Sequence, residues 1–440
     1  MDELTTRGPV FAPGHDGYDT ERTGYQRLTA HRPALIVGAA DAGDVQAAVR
    51  HAAARGMPVA VQATGHGLGD PMERGILIST RRMTAVRVDP AARTAWIEAG
   101  ATWRHVIEAA APYGLAPPSG SFPGVGALSY TLGGGVGLLA RRHGFAADHV
   151  RRMDLVGADG ALRRVTADAD PDLFWALRGA GHGFGVVTGM EIDLMPVARL
   201  FGGGLYFDAQ QVPDALEAWR EWTATVPEEM TSAVTMLPLP DLPPVPEPLR
   251  GRHVIQLQFA YAGPADRAER LLQPLRDIGP RLLDTLRDLP YAESGAVFDE
   301  PDRPHAYLSD NLLVDDLTPA ALTALVHDAG PAAPLMCVVG LRHLGGALSR
   351  PPRVPNAVAH RDAAYSLTVL SPAEPGDPQR IRALHRSLLE PFAAHAVGRM
   401  GNFLYGPGHD DPSPAGHRER LADLKARHDP AGLFHDGRRR

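Results

Sequence analysis

Ala63-Thr64-Gly65-His66-Gly67-Leu68-Gly69 follows directly on the apolar run Met57-Pro58-Val59-Ala60-Val61. Glycines alternating through a turn let backbone N–H groups converge on an anion, because a residue without Cβ reaches positive φ and approaches a ligand closely. The histidine in the middle is then an imidazole held beside whatever the loop cradles. Upstream, Leu35-Ile36-Val37 reads as a buried strand, and Asp41 as the N-cap of a helix that turns Val45, Ala48, Val49 and Ala52 to one face. With Val59 to Gln62 as the next strand, the unit is β-α-β. A dinucleotide-binding unit of the Rossmann type places its glycines between the first strand and its helix. Here that turn is Gly38-Ala39-Ala40-Asp41, with one glycine, and the glycines come after the second strand instead.

Downstream, strands are expected at 76–79, 86–88 and 94–98, then a helix over 102–113 with Val106, Ile107 and Ala110 inward. A second glycine-rich element, Pro117-Pro118-Ser119-Gly120-Ser121-Phe122-Pro123-Gly124-Val125-Gly126, runs on into Tyr130-Thr131-Leu132-Gly133-Gly134-Gly135-Val136-Gly137. Glycine costs roughly 1 kcal/mol relative to Ala inside a helix or strand, so this backbone is wanted at a surface, most simply that of a large ligand. A third set, Gly179-Ala180-Gly181-His182-Gly183-Phe184-Gly185, opens the alternating stretch Val186-Val187-Thr188-Gly189-Met190-Glu191-Ile192-Asp193-Leu194. It precedes a strand and not a helix, so its likeness to a dinucleotide fingerprint is spurious.

The 440 residues exceed one ordinary core and predict two or three domains. A hydrophobic content of 44% with 22% charged residues describes a globular protein, and a net charge of −7 argues against a nucleic-acid partner. Lys425 is the one lysine among 44 basic residues, which excludes a Gly-Lys-Ser/Thr phosphate loop. The single cysteine, Cys337, excludes intrachain disulfides and cysteine metal clusters. The N-terminus Met1-Asp2-Glu3-Leu4 is acidic and precedes no apolar stretch, and no apolar run reaches 18 residues. A cytoplasmic protein without a signal peptide or membrane span is expected.

Beyond residue 200 the pattern changes to strands such as Val254-Ile255-Gln256-Leu257-Gln258-Phe259, alternating with helices near 212–223, 264–277 and 318–328. The Pro-rich run 237–249 reads as a loop connecting strands. Asp377 is expected to cap a helix with Pro378 in its first turn and Ile381, Leu384, Leu388 and Phe392 inward. Ser413-Pro414 starts another, carrying Leu421 and Leu424.

The ordered set of motifs resembles the berberine-bridge-enzyme-like FAD oxidases. It comprises the strand and Gly-His loop, Pro118-Ser119-Gly120-Ser121 with Val125-Gly126, Thr131 to Gly137, Asp170-Pro171-Asp172-Leu173-Phe174-Trp175-Ala176-Leu177-Arg178-Gly179, and Phe184 to Thr188. It resumes at Leu341-Arg342-His343-Leu344-Gly345-Gly346-Ala347 and His360-Arg361-Asp362, and ends with Asn402-Phe403 and Leu424-Lys425-Ala426-Arg427-His428-Asp429-Pro430. The resemblance implies an α+β, two-domain flavoprotein of the vanillyl-alcohol-oxidase or PCMH type. Residues 1–200 and the tail 391–440 would form the FAD-binding domain. Residues 201–390 would form an inserted α/β substrate domain, its antiparallel sheet roofing the isoalloxazine.

In that family the His66 position carries the flavin covalently, which requires an unprotonated imidazole nitrogen as nucleophile. Further FAD contacts are implied at Gln62, Ala63, Thr64, Gly65, Gly67 and Leu68, and at Pro118, Ser119, Gly120, Ser121, Val125, Gly126, Ser129 and Tyr130. Gly133, Gly134, Gly135, Gly137, Gly185, Val187, Asn402 and Phe403 complete the set, with His182 a packing neighbour of the adenine. Three departures stand out. Phe122 replaces a cysteine that gives many members a second flavin bond, so single attachment is implied. Ser129 stands where glycine is common, which implies a tighter pocket near the flavin edge. Met400 stands where members often carry a tyrosine acting as base or donor, and a thioether does no proton chemistry. The base would then come from Tyr405, Tyr365, His343 or Tyr307.

The leading expectation is an FAD-dependent oxidase or dehydrogenase of a small, secondary-metabolite-type alcohol, sugar or C–C/C–N unit, with hydride passing to flavin N5 and electrons then to O2. A flavoprotein scaffold for a non-redox cyclisation or isomerisation is the second reading, and a binding protein that has lost catalysis the third. Either a monomer or a homodimer is compatible with the sequence.

Overall fold

The computed structural model describes residues 4–373 and 377–435; Met1 to Glu3, part of the acidic N-terminus, lie outside them. Strands Leu35–Gly38 and Val59–Gln62 form as expected, joined by helix Ala42–Arg55. Asp41 caps that helix by accepting the Asp44 N–H, and Gly56 ends it in the left-handed conformation that an L side chain avoids, at φ 60°. The two strands are not neighbours. Ile76–Ser79 lies between them, parallel to both, and Val10–Phe11 closes the far edge. A second sheet is antiparallel and has the order Val86–Asp89, Thr94–Glu98, Val186–Asp193, Val150–Val156, Leu162–Val165. Its inward residues share one apolar core with helices Ala42–Arg55 and Trp103–Ala110.

The third sheet is antiparallel throughout and contains nine strands. From Leu283–Asp284 it runs through Arg199–Asp208, His253–Tyr261, Met230–Pro238, Val338–His343, Tyr365–Pro372 and Tyr307–Val314 to Ala396–Gly398, with Arg287–Pro290 also on Arg199–Asp208. Because strand side chains alternate, each strand presents two distinct faces. Val339 and Leu341 on one strand, and Leu367 and Val369 on the next, enter a core shared with helices Ala215–Thr223, Ala265–Arg276, Pro319–Asp328 and Pro378–Leu389. The opposite face carries Thr235, Gln256, Gln258, Arg342 and Thr368 and overlooks a cavity.

The chain end returns to the N-terminal sheets. Helix Ala415–His428 buries Leu421 and Leu424 in the first core. Asp429, fully buried, accepts N–H bonds from Leu433 and Phe434 and pairs with Lys425 Nζ at 2.7 Å. Lys425 also donates to the carbonyls of Gly183 and Phe434. This places Leu433 and His435 along the Val59 strand edge, where Val59 N–H meets Leu433 O at 2.8 Å. The chain's one lysine is thus a structural clamp between its end and the third glycine loop. One local expectation is corrected: Asp377 sits at the N-cap of Pro378–Leu389, but its carboxylate caps no backbone N–H and instead lies 3.6 Å from Arg380.

Candidate active site

The glycine-rich loops and the polar face of the nine-stranded sheet enclose one cavity of about 950 Å³, toward the upper end of the roughly 300–1,000 Å³ usual for ligand sites. The Gly-His loop is fixed from outside. Tyr25 N–H bonds Thr64 O at 2.8 Å and Gln26 N–H bonds Gly65 O at 3.0 Å. Gly24 and Gly65 pack backbone on backbone: a Cβ on Gly24 would stand 2.7 Å from the Gly65 Cα, and Gly65 itself has φ +68°. Held this way, the His66 ring stacks on Tyr25 and lies near Phe122, with centroids 4.0 and 5.6 Å away. Its Nδ1 meets Thr64 Oγ1 at 2.8 Å, while Nε2 is buried without a hydrogen-bond partner. Burial, with the nearby His305 second, lowers its pKa to about 4. The imidazole is neutral at physiological pH, the state a nucleophilic ring nitrogen needs.

Other unpartnered buried polar atoms face the same cavity. Neither the amide oxygen nor the amide nitrogen of Gln62 has a partner, and neither does the Tyr130 hydroxyl. Buried polar groups are nearly always hydrogen-bonded, so the meeting of Gln62, His66 and Tyr130 on one cavity marks a place where a polar ligand completes them, although other unpartnered atoms, Trp103 Nε1 and His143 Nε2 among them, lie away from it. These residues fit an FAD: a neutral histidine with a spare ring nitrogen, an open amide, and glycine backbone along one wall.

Most of the expected FAD contacts line this cavity. They include Gln62, Ala63, Gly65, His66, Gly67 and Leu68, then Gly120, Ser121, Val125, Ser129, Tyr130 and Gly133, and finally Gly185, Val187, Asn402 and Phe403; His182 lines it too. Thr64, Pro118, Ser119, Gly126, Gly134, Gly135 and Gly137 are set back from it. Their glycines serve close internal packing: a Cβ on Gly137 would lie 2.2 Å from Ser119 O, and one on Gly135 would lie 2.3 Å from the Tyr130 ring. Ser119 is fully buried, with its Oγ 2.8 Å from the Tyr291 hydroxyl. The glycine run therefore serves the cavity wall in part and the scaffold around Tyr130 in part.

The four base candidates divide. Tyr405 and Tyr307 line the cavity with rings at 5.3 Å and nearly perpendicular, and the Tyr307 hydroxyl donates to His66 O at 2.8 Å. Burial raises the pKa of both phenols. His343 and Tyr365 lie on the other face of the sheet, away from the cavity. His343 Nε2 is 2.6 Å from the buried Arg141, and burial lowers its pKa to about 3. The Tyr365 hydroxyl is 2.6 Å from Thr223 Oγ1. Strand parity removes these two, because they alternate with Arg342, Ser366 and Thr368 and share the side of Leu341 and Leu367. Met400 also faces away, into an apolar cluster with Val136, Phe145, Leu313 and Leu344. Tyr25, Phe122, His305 and Arg342 border the cavity without having been singled out as contacts. Arg342 had a readable signal in its odd place in an alternating strand, and Phe122 one in the cysteine position it occupies, whereas Tyr25 and His305 had none.

Residues 33–166 match the FAD binding domain family. The chain is 25% identical over 439 residues to an FAD-linked oxidoreductase of Dictyostelium discoideum, covering 97% of this chain and 93% of that one. Among solved structures, 6-hydroxy-D-nicotine oxidase from Arthrobacter nicotinovorans superposes with a TM-score of 0.82 at 25% identity, over 99% of this chain and 98% of that one. A chitooligosaccharide oxidase does so with 0.85 at 22% identity, over 98% and 96%. The chain thus has the fold of the berberine-bridge-enzyme-like and PCMH-type FAD oxidases. It is an enzyme, an FAD-dependent oxidoreductase, and a non-redox use of the scaffold is not favoured. Among the described residues, no helix is long and apolar enough to cross a membrane.

Proposed function

We propose that this enzyme oxidises a small, secondary-metabolite-type molecule, using an FAD carried covalently and singly on His66, with O2 as the electron acceptor. The observation that carries the reading is the convergence of the neutral His66, its unpartnered Nε2, the open Gln62 amide and the Tyr130 hydroxyl on one cavity. When bound, FAD supplies a two-electron acceptor for hydride. The chain's own part is positional and protic. Tyr25 orients the His66 ring, Phe122 fills the place of a second attachment point, and Tyr405 with Tyr307 handles the substrate proton beneath the sheet.

The same reading takes residues 1–200 and 391–440 as the FAD-binding part and 201–390 as the substrate-binding part. The pairing of Ala396–Gly398 with Tyr307–Val314 favours a return just after Gly398. A cytoplasmic enzyme, monomeric or homodimeric, completes the proposal. The test is a purified protein whose yellow colour survives acid precipitation and whose mass carries one FAD, and whose flavin band bleaches anaerobically with a turned-over alcohol, sugar or amine. A colourless protein that takes up no FAD would refute it.

A further inference from the structure

Arg342 is the one arginine or lysine among the described residues lining the cavity. It projects from the middle of the nine-stranded sheet, in register with Ala233 on one side and Ser366 on the other. Its guanidinium is half-buried between two aromatic rings, 4.8 Å from the Phe298 centroid and 5.2 Å from that of Phe403. Its hydrogen bond is to a neutral group, Ser121 Oγ at 3.2 Å. It makes no ion pair within 4.0 Å among the described residues, although carboxylates, Glu300 among them, line the same cavity.

Several other polar side chains of this sheet face find partners within the protein, although Ser366 Oγ, directly across the strand pair from Arg342, is buried without one. Thr235 Oγ1 and the Gln258 amide exchange bonds at about 3 Å, and Gln256 donates to the Tyr206 hydroxyl at 2.7 Å. The chain's other enclosed arginines are also satisfied. Arg361 pairs with Asp148 at 2.6 Å, Arg82 with Glu21 at 2.7 Å, and Arg178 is ringed by backbone carbonyls. A cation held out of water without a counter-charge is costly, and guanidinium presents a planar fork matched to a carboxylate. Phe298 and Phe403 hold that fork in the cavity and leave its edge for a ligand.

We propose that Arg342 is the specificity-determining residue of the substrate site and that the substrate bears a carboxylate, or an equivalent planar anion, beside the carbon that is oxidised. The proposal rests on the FAD-dependent reading above and deepens it by naming a substrate class. The flanking Phe298, Phe403 and Tyr405 further favour an aromatic or flat body behind the anion.

The experiment uses the flavin-loaded protein and two isosteric probes, benzoate and its neutral amide benzamide, titrated by the change in the flavin's visible spectrum. Benzoate is expected to bind at least about tenfold more tightly, as charge-assisted bidentate pairing implies. Its affinity should fall with added salt while that of benzamide stays flat. Arg342→Gln should abolish the preference while the protein keeps its flavin. Should that variant fail to load flavin, the salt dependence of the wild-type protein decides the matter. Equal binding of the two probes, no spectral change with either, or a preference that survives Arg342→Gln each overturns the anion site. So does a variant that weakens sulfite addition to the flavin but leaves the benzoate preference intact, since Arg342 would then serve the flavin itself. A protein that binds no FAD sinks the underlying reading instead, so the two failures are distinguishable.

Discussion

The Tyr25 ring lies on the His66 ring, with centroids 4.0 Å apart and planes 15° from parallel. The stack joins an N-terminal segment to the Gly-His loop through two backbone hydrogen bonds and the Gly24–Gly65 contact. It fixes one imidazole orientation before any flavin arrives. The attachment proposed at His66 needs an aligned nucleophile, so pre-orientation should appear in its rate. Tyr25→Ala is expected to slow FAD incorporation into apoprotein by about tenfold or more, Tyr25→Phe to leave it near normal, and His66→Ala to prevent acid-stable attachment altogether. The measurement is the fraction of flavin retained after acid precipitation over time. Incorporation into Tyr25→Ala at the wild-type rate would leave the stack with no role in attachment.

A second prediction concerns the number of bonds to the flavin. Phe122 puts an aromatic ring 5.6 Å from that of His66, and on the proposed reading it stands where a second bond would need a thiol. Cys337 is buried, its Sγ 3.9 Å from Ala329 O, and its core-facing burial pushes the thiol up to about 11. Peptide mapping should therefore place FAD on the His66 peptide alone. A thioether adduct on any peptide would show that another sulfur reaches the flavin.

The fold was legible where local chemistry is decisive. Asp41 and Gly56 bracket a helix through cap chemistry, and the apolar runs at 35–37, 59–62 and 76–79 become the buried parallel strands. Less readable was which strand sits between which. Ile76–Ser79 separates the other two through contacts that no local pattern encodes. The glycine runs announced close approach but not its partner, which for Gly135 and Gly137 is the protein's own interior. His343 and Tyr365 could have been set aside by counting alternation from Leu341 and Leu367. Tyr25 could not have been found that way, because what places it is a tertiary bond to Thr64 O.

A third prediction follows from the two cavity phenols. For Tyr405, burial and then Glu300 raise the pKa, and Arg342 opposes them with a net result above the ordinary tyrosine value. Tyr405 is thus protonated near neutrality. If it takes the substrate proton, kcat/KM should climb through the alkaline range without levelling by about pH 10. Tyr405→Phe should remove the climb and cut turnover by about a hundredfold or more. Tyr365→Phe, behind the sheet, should stay within about tenfold of wild type. A flat profile that Tyr405→Phe does not change would exclude Tyr405 as the base.

Acid sensitivity gives a fourth. Burial lowers the pKa of His31 and His385 to about 4 and of His343 to about 3. Unfolded histidines titrate near 6.5, so below that pH the unfolded chain binds protons that the folded chain refuses. The stability these groups provide is complete above about pH 6.5 and declines as pH falls toward 4 and then 3. Urea midpoints of the apoprotein should drop over that interval, and His31→Gln should make the drop shallower. Midpoints that do not change between pH 7 and 4.5 would contradict the buried, neutral state of these rings.

Met400 and Asn311 provide the last. The Met400 side chain packs in an apolar cluster, so replacing it with Leu approximately keeps the volume and removes no proton chemistry. Turnover of Met400→Leu should stay within about tenfold. The Met400 backbone is another matter, because Asn311, fully buried, accepts its N–H at 2.8 Å and donates to its carbonyl at 3.0 Å. That pair of hydrogen bonds between amide and peptide anchors the segment leading to Asn402, Phe403 and Tyr405, and Asn402 in turn donates to Tyr130 O at 2.9 Å. Asn311→Ala leaves the buried Met400 N–H unpaired, at about 1–3 kcal/mol, and removes one of two bonds to the Met400 carbonyl, which still accepts the Phe403 N–H at 3.1 Å. The variant should lose several degrees of Tm and, as the segment drifts, turnover as well, with substrate affinity weakened alongside. Loss of activity in Met400→Leu with flavin bound and Tm unchanged would instead give the side chain a positioning role. An Asn311→Ala variant with wild-type Tm and turnover would show that the segment is held by its own packing.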